Sequence, residues 1–287
     1  MKITEILKMR MGFSFEVFPP KNEQPMEPLF ETLAKLYDFK PDFISCTYGA
    51  GGTNKGRSLE ICKAVKQSGH EVVVHFTCIG NTRADVKAFV AEYIALGIEN
   101  FLMLRGDFPV GWNGTHGDFA HADELTAFIC GEFPDLHIGV AGYPEKHIDA
   151  LSFDEDIAHL RSKQNNGAQF IMLQLCHDIV AYQRYVERVR RAGIHIPIIV
   201  GLMPVLARDP IIRMTVSNGC SIPAELANIL GKYPDDADSF QKAGMEYTVK
   251  QIHRYIAAGI DGLHIFTINK WRNISKILKT SGIRITN

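Results

Sequence analysis

Eight short apolar runs, FSFEVF, FISCTYG, EVVVHFTC, NFLMLRGD, HIGVAGYP, FIMLQLC, IPIIVGLMPV and GLHIFTIN, recur along the chain with longer amphipathic segments between them. The intervening PLFETLAKLYDF, DVKAFVAEYIALG, EDIAHLRSKQNNG, DIVAYQRYVERVRRAG and MEYTVKQIHRYIAAG carry apolar residues at three- and four-residue spacing, the pattern of a helix with one buried face. Gly97, Gly167, Gly193 and Gly259 each close such a segment a few residues before the next apolar run. Glycine there supplies the left-handed turn that ends a helix. The repeated order of helix, glycine, short turn and strand predicts successive βα units in a parallel sheet, whose doubly covered strands are nearly continuous in Val, Ile and Leu. Eight units close most naturally into a (β/α)8 barrel, read as one domain over residues 1–287. An open doubly wound sheet is the alternative. It usually carries a Gly-rich turn after its first strand, and here that place holds FPPKNEQP. The long stretch between strands seven and eight, ARDPIIRMTVSNGCSIPAELANILGKYPDDADSFQKAG, predicts extra helices over the barrel mouth.

Charge narrows the partners. Lys plus Arg number 31 against 32 Asp plus Glu, a formal net charge of −1, with no basic block or acidic tail. Nothing in this favours capture of nucleic acid or a membrane surface, and a small-molecule partner is expected. The amino terminus, MKITEILKMRMGFSFEVF, mixes charges into its apolar positions and reads as cytoplasmic rather than as a secretory signal. Cys46, Cys62, Cys78, Cys130, Cys176 and Cys220 have neither CxxC nor Cys/His ligand spacing, so no metal site is expected and the thiols read as buried and reduced.

In a barrel of this kind the active site lies at the carboxyl ends of the strands. Those ends are Glu16, Thr47-Tyr48, His75 with Thr77, Arg105-Gly106-Asp107, Tyr143 with Glu145 and His147, Gln174, and Thr267 to Lys270. On the first strand, two-residue alternation sets Phe13, Phe15 and Val17 on one face and Ser14, Glu16 and Phe18 on the other. If the first set meets the helices, Glu16 points into the mouth, where desolvation is expected to raise its pKa and suit it to general acid work. The competing reading pairs it with a lysine on a neighbouring strand. In LRGD, Arg105 could hold an anionic group and Asp107 accept from a ring N–H, or the two could simply pair with each other. YGAGGTNKGRS departs from the P-loop, with Arg57 where Lys is required, and reads as a βα turn with exposed amides. His75 is as readily a core histidine, and Gln174 could merely satisfy backbone. No nucleophile–base pair, HExxH or spaced carboxylate cluster is present in the sequence.

The strand-end motifs SFEVFPP, SCTYGAGG, HFTCIG, LRGD, AGYPEKH, LQLCHD and FTIN, in this order, resemble those of methylenetetrahydrofolate reductases of the short bacterial type. The resemblance implies a barrel that holds FAD, with FMN as the alternative. NADH or NADPH would reduce the flavin, which would then reduce 5,10-methylenetetrahydrofolate to 5-methyltetrahydrofolate; the cofactor supplies the hydride chemistry and the protein the positioning. It further implies that Glu16 is the general acid that opens the folate's five-membered ring. Asp107 would stand beside flavin and pterin, its charge disfavouring flavin reduction and favouring hydride donation. Thr47 would contact nicotinamide, and Gln174 folate or nicotinamide. Flavin contacts would come from Tyr48, Ala50, His75, Arg105, Gly106, Tyr143, His147, Asp156 and Lys163. His159 and Ser162 stand on the adenosine side where a relative has Asn and Arg, and His121 where a tyrosine is expected. Arg208 and Lys270 are the remaining substrate contacts, Lys270 where Arg is frequent. A homo-oligomer is expected. Two other readings stand beside this one: a flavin-binding subunit that takes electrons from a partner protein, and a pterin-dependent methyltransferase barrel.

Overall fold

The computed structural model describes residues 1–47, 55–108 and 111–283. A short helix α1 (Ile3–Met9) precedes strand β1 (Gly12–Val17), and then helices and strands alternate. They run α2 (Glu27–Tyr37), β2 (Phe43–Cys46), α3 (Lys55–Gln67), β3 (Glu71–Thr77), α4 (Arg83–Ala95), β4 (Asn100–Leu104), α5 (Ala122–Glu132) and β5 (His137–Gly142). The second half continues with α6 (Phe153–Asn165), β6 (Phe170–Leu173), α7 (Ile179–Arg191), β7 (Ile198–Leu202), three successive helices α8 (Arg208–Ser217), α9 (Ala224–Lys232) and α10 (Ala237–Ala257), β8 (Gly262–Phe266) and α11 (Trp271–Ser281). The strands close in sequence order, every neighbour parallel, and β8 pairs back onto β1. The expected (β/α)8 barrel is therefore the fold, and the extra helices fall between β7 and β8 as the sequence predicts.

The helix-closing glycines have positive φ, from +72° at Gly259 to +107° at Gly167, a backbone region that side chains with a Cβ disfavour. Alternation along the strands separates two cores. Outward residues such as Phe13, Phe15, Val17, Ile44, Val74 and Ile265 pack against the helices. Inward residues Phe43, Val73, Leu102, Phe170, Met172 and Ile199 fill the barrel, and Ile3 and Ile6 of α1 close it from below. The Ile3 N–H donates to Asn100 Oδ1 at 3.1 Å, and Thr4 Oγ1 lies 3.0 Å from His137 Nδ1, so α1 is a polar-pinned floor. Cys46, Cys62, Cys78 and Cys176 are buried free thiols, while Cys130 and Cys220 are half-buried. Among the described residues, no helix is long and apolar enough to cross a membrane.

The inserted helices are tied to the barrel at one close contact. Thr248 of α10 accepts a hydrogen bond from the Val205 N–H at 3.0 Å and donates to the Gly244 carbonyl at 2.7 Å, drawing Gly244 onto the chain that leaves β7. A methyl group at Gly244 would run into the Val205 carbonyl oxygen and come within 2.8 Å of Val205 Cγ1. Gly244→Ala is therefore expected to cost about 2 kcal/mol of stability, within the range for overpacking a filled interior. Urea denaturation checks this; an unchanged midpoint would mean that α10 moves away freely.

Candidate active site

Strand ends converge on a cavity of about 350 Å³ at the barrel mouth. Its floor holds Glu16, His75, Met172 and His264, and its rim holds Thr47, Arg105, Asp107, Tyr143, His147 and Gln174. As the alternation predicts, Glu16 faces inward while Phe13, Phe15 and Val17 are fully buried on the helix side. The register explains its company. Ser45 of β2 lies opposite Glu16, and His264 of β8 lies opposite Ser14, one inward step below. His75 Nε2 and His264 Nε2 each stand 3.6 Å from Glu16 Oε2. His264 is itself held between Ser14 Oγ, 2.7 Å from Nδ1, and Ser45 Oγ, 3.2 Å from Nε2.

This geometry sets aside the competing lysine reading and corrects one expectation for Glu16. Its partners are imidazoles rather than a lysine. Burial by itself does raise its pKa, as expected, but the hydrogen bond with His264, the electrostatic coupling to the His75 and His264 rings and the hydrogen bond with Ser45 outweigh it. The net pKa is below the ordinary glutamate value, not above it, and the group is a carboxylate at neutral pH. His75 is pushed down to about 4, chiefly by burial, against the raising influence of Glu16. It is therefore a neutral imidazole near pH 7.

The sequence reading did not single out His264. The signal was available: alternation through GLHIFTIN sends His264 and Phe266 inward and leaves one polar side chain facing the axis of the barrel. Among the described residues, Arg105 makes no ion pair with Asp107; it reaches Asp149 Oδ2 at 2.9 Å and lies 4.6 Å from the ring centroid of Phe108. Asp107 is left exposed on the cavity rim. Between them Gly106 has φ +87°, and a methyl group there would meet Ile79 Cγ1 at 2.6 Å, so both backbone angle and space demand glycine. Gln174 lines the cavity with its Oε1 accepting from the Leu175 N–H at 2.8 Å.

A second cavity, of about 340 Å³, adjoins the first along a common wall of Leu104, Arg105, Ala141, Tyr143 and His147. It runs outward between α5 and α6 past His121, Asp156, His159 and Lys163. Tyr143 and His147 meet edge to face at 4.5 Å on the common wall. Burial, with nearby Asp156, raises the Tyr143 hydroxyl well above its ordinary value and keeps it a neutral donor. Burial also lowers the Lys163 ammonium, although Asp156 and Asp123 oppose the shift. Asp156 is raised by burial and accepts from the His147 N–H at 3.3 Å.

Three predicted contacts lie elsewhere. Ser162 does not line either cavity; its hydroxyl donates to Asp123 Oδ2 at 2.9 Å. Arg208 is held by the Leu230 carbonyl at 3.2 Å and by Asp209, and Lys270 is exposed at the start of α11; neither is part of either cavity wall. Tyr48 and Ala50 fall outside the described residues.

The family model described as methylenetetrahydrofolate reductase matches residues 2–282. The chain belongs to the methylenetetrahydrofolate reductase family. It is 30% identical to the 5,10-methylenetetrahydrofolate reductase of Escherichia coli, a match covering 96% of this chain and 92% of that protein. It is 33% identical to methylenetetrahydrofolate reductase 1 of Schizosaccharomyces pombe, covering 99% of this chain but 49% of the yeast protein. The chain thus spans about half the length of the first curated relatives it matches, which include methylenetetrahydrofolate reductase (NADH) 1 of Arabidopsis thaliana at 32% identity and 51% coverage of that protein. In fold it is similar to an uncharacterized protein from Clostridium thermocellum that binds two copies of 5-methyl-5,6,7,8-tetrahydrofolic acid. That likeness has a TM-score of 0.66 at 14% identity, covering 98% of this chain and 99% of the other.

Proposed function

We propose that this chain catalyses reduction of 5,10-methylenetetrahydrofolate to 5-methyltetrahydrofolate, with NADH or NADPH as donor and FAD as the resident cofactor. Membership of the family supports the substrate. The observation that carries the site is the single carboxylate of Glu16 set between two imidazoles on the floor of the mouth cavity.

The residues fit a flat, polar, anionic cofactor. Among the described residues, His75 Nε2 and Thr77 Oγ1 are buried without hydrogen-bond partners, and both groups belong to the cavity lining. A buried unpaired polar atom is costly unless a ligand satisfies it. Lys163 donates a long 3.4 Å bond to the Ala141 carbonyl and, half-buried, lines the second cavity with Arg105, two cations suited to a diphosphate. Thr47, His75, Thr77, Arg105, Gly106, Tyr143 and His147 would hold the ring system, and Asp156, His159 and Lys163 the outer part. The flavin supplies hydride acceptance from a nicotinamide and hydride donation to the folate. A mouth cavity of about 350 Å³ is at the small end of ligand pockets, which supports nicotinamide and folate taking turns on one face.

Glu16 is the proposed proton donor to the folate, and its lowered pKa decides when it takes up the proton. Its side chain is 20% exposed in this structure. A pterin laid over it removes that last water and strengthens the desolvation that already opposes ionisation. That push is upward, the direction a proton donor to the folate requires. Asp107, exposed on the rim, places a negative charge where it opposes gain of electrons by the cofactor.

Anaerobic titration of the flavin-loaded protein tests the reading. NADH is expected to bleach the flavin absorption band, and methylenetetrahydrofolate to restore it. A band that neither NADH nor NADPH bleaches would point to the partner-protein reading, and a protein that retains no flavin would count against the reductase itself.

A further inference from the structure

A third cavity, of about 420 Å³, lies between the start of α6, one face of α7 and the turn that joins α8 to α9. None of its lining residues belongs to the other two cavities. Four charged side chains line it, the carboxylates of Glu145 and Asp178 and the guanidiniums of Arg184 and Arg188, and among the described residues none of the four makes an ion pair. Other arginines of the same helix do: Arg190 meets Asp261 at 3.5 Å and Arg191 meets Glu187 at 3.6 Å. Charges of both signs therefore share one concave wall unneutralised, while their neighbours on α7 have partners.

Helical spacing sets the layout. Asp178, Ala181, Arg184 and Arg188 recur every three or four positions and so share the face of α7 turned to the cavity. Asp178 caps the helix, its Oδ1 accepting from the Val180 N–H at 2.8 Å, and Glu145 Oε2 accepts from the Ser221 N–H at 3.0 Å. These bonds fix both carboxylates and leave each with acceptor capacity to spare. Arg184 stands six residues past Asp178, about 9 Å along the axis, and side chains on a helix lean toward its N-terminus. The Arg188 guanidinium lies 4.5 Å from the ring centroid of Phe153, which anchors it, while Arg184 has no polar partner among the described residues. Pro144, Phe153 and Ala181 add apolar wall.

We infer that this cavity binds a zwitterion of the α-amino acid class with an uncharged side chain, its ammonium on Glu145 and Asp178 and its carboxylate on Arg184 and Arg188. A lone anion would face two carboxylates and a lone cation two guanidiniums; a zwitterion answers both. Pro144 and Glu145 belong to the loop whose Tyr143 and His147 line the mouth. The occupant thus touches an active-site loop from behind, as an effector does, and takes no part in hydride transfer.

Isothermal titration calorimetry of the full chain with L-alanine, L-leucine and L-phenylalanine tests the site. It needs no flavin, so its outcome is separate from that of the proposed function. At least one of the three is expected to bind saturably below about 10 mM, and its deaminated acid and its decarboxylated amine to bind at least about 10-fold more weakly. Arg184→Gln, at an exposed position, should raise the Kd about 10-fold, the worth of one hydrogen bond to a charged group. Glu145→Gln, whose amide oxygen still accepts from the Ser221 N–H, should weaken the amino acid but tighten the deaminated acid. Arg191→Gln, on the same helix but off the cavity, should leave the Kd within error. No saturable heat with any of the three, equal binding of the amino acid and its deaminated acid, or a Kd unmoved by Arg184→Gln would overturn the site.

Discussion

Glu16→Gln is expected to abolish folate reduction while leaving reduction of the bound flavin by NADH nearly intact. The variant keeps the shape and the hydrogen-bonding capacity of the side chain but cannot deliver a proton at the folate nitrogen. A positioned acid of this kind contributes about 10²- to 10⁴-fold to its step, and the folate half-reaction should slow by that factor. The nicotinamide half-reaction moves hydride without a proton from this group, so its rate should hold. The neutral amide also removes the carboxylate beside His75 and His264, both 3.6 Å away, without emptying the floor of the cavity. Stopped-flow measurement of each half-reaction separately makes the distinction that steady-state rates conceal. A variant that reduces methylenetetrahydrofolate at the native rate would end the acid assignment. A variant that loses both half-reactions alike would show that Glu16 organises the mouth instead.

The barrel was legible because its information is local. Each parallel strand is covered on both sides and reads as an apolar run, and several helices are followed by a glycine such as Gly97 or Gly193 whose positive φ the fold uses. The inward direction of Glu16 was also local, since alternation over Gly12–Val17 fixes it. Its electrostatics were not. Ser14 and His264 are 250 positions apart and meet only because β8 closes onto β1, so the imidazole that lowers the Glu16 pKa is invisible to a reading of the first strand. The same limit applies to Arg105, whose partner Asp149 belongs to the segment after β5 rather than to LRGD. The floor helix α1 escaped for a related reason. Ile3, Ile6 and Leu7 stand at helical spacing, but their partners are the inward residues of β2, β3, β4, β6 and β7, distant in sequence. Arg208 came from family pattern and Lys270 from its place just past the last strand, and the path of the chain after β7 and β8 leaves both off the cavity walls.

Acid should unfold this protein in a window that belongs to histidines rather than to carboxylates. His75 and His177 are 7% and 2% exposed, and burial is the chief cause holding each near a pKa of about 4. Their folded-state values lie below the unfolded value of about 6.5, so the unfolded chain binds the extra protons. The stabilisation from burying each neutral ring is complete above about pH 6.5 and is lost as pH falls towards about 4. Each ring contributes a slope approaching 1.4 kcal/mol per pH unit within the window, or about 3 kcal/mol across it. Glu16 acts in the same direction but lower down, since its depressed pKa withdraws stability only as pH falls below the ordinary glutamate range. Urea denaturation at intervals from pH 7.5 to 4.5 gives the slope. His177→Asn is the informative variant, because His177 lies under α10, with the Tyr247 hydroxyl donating to its carbonyl at 3.3 Å, and lines neither cavity. The substitution opens a small void and lowers stability at every pH, but it should also remove up to one proton from the slope between pH 6.5 and 4.5. A native protein whose urea midpoint stays flat from pH 7 to pH 5 would mean that the buried imidazoles are solvated by a route the structure does not contain. An unchanged slope in His177→Asn would transfer the acid sensitivity to His75, and with it to the floor of the active site.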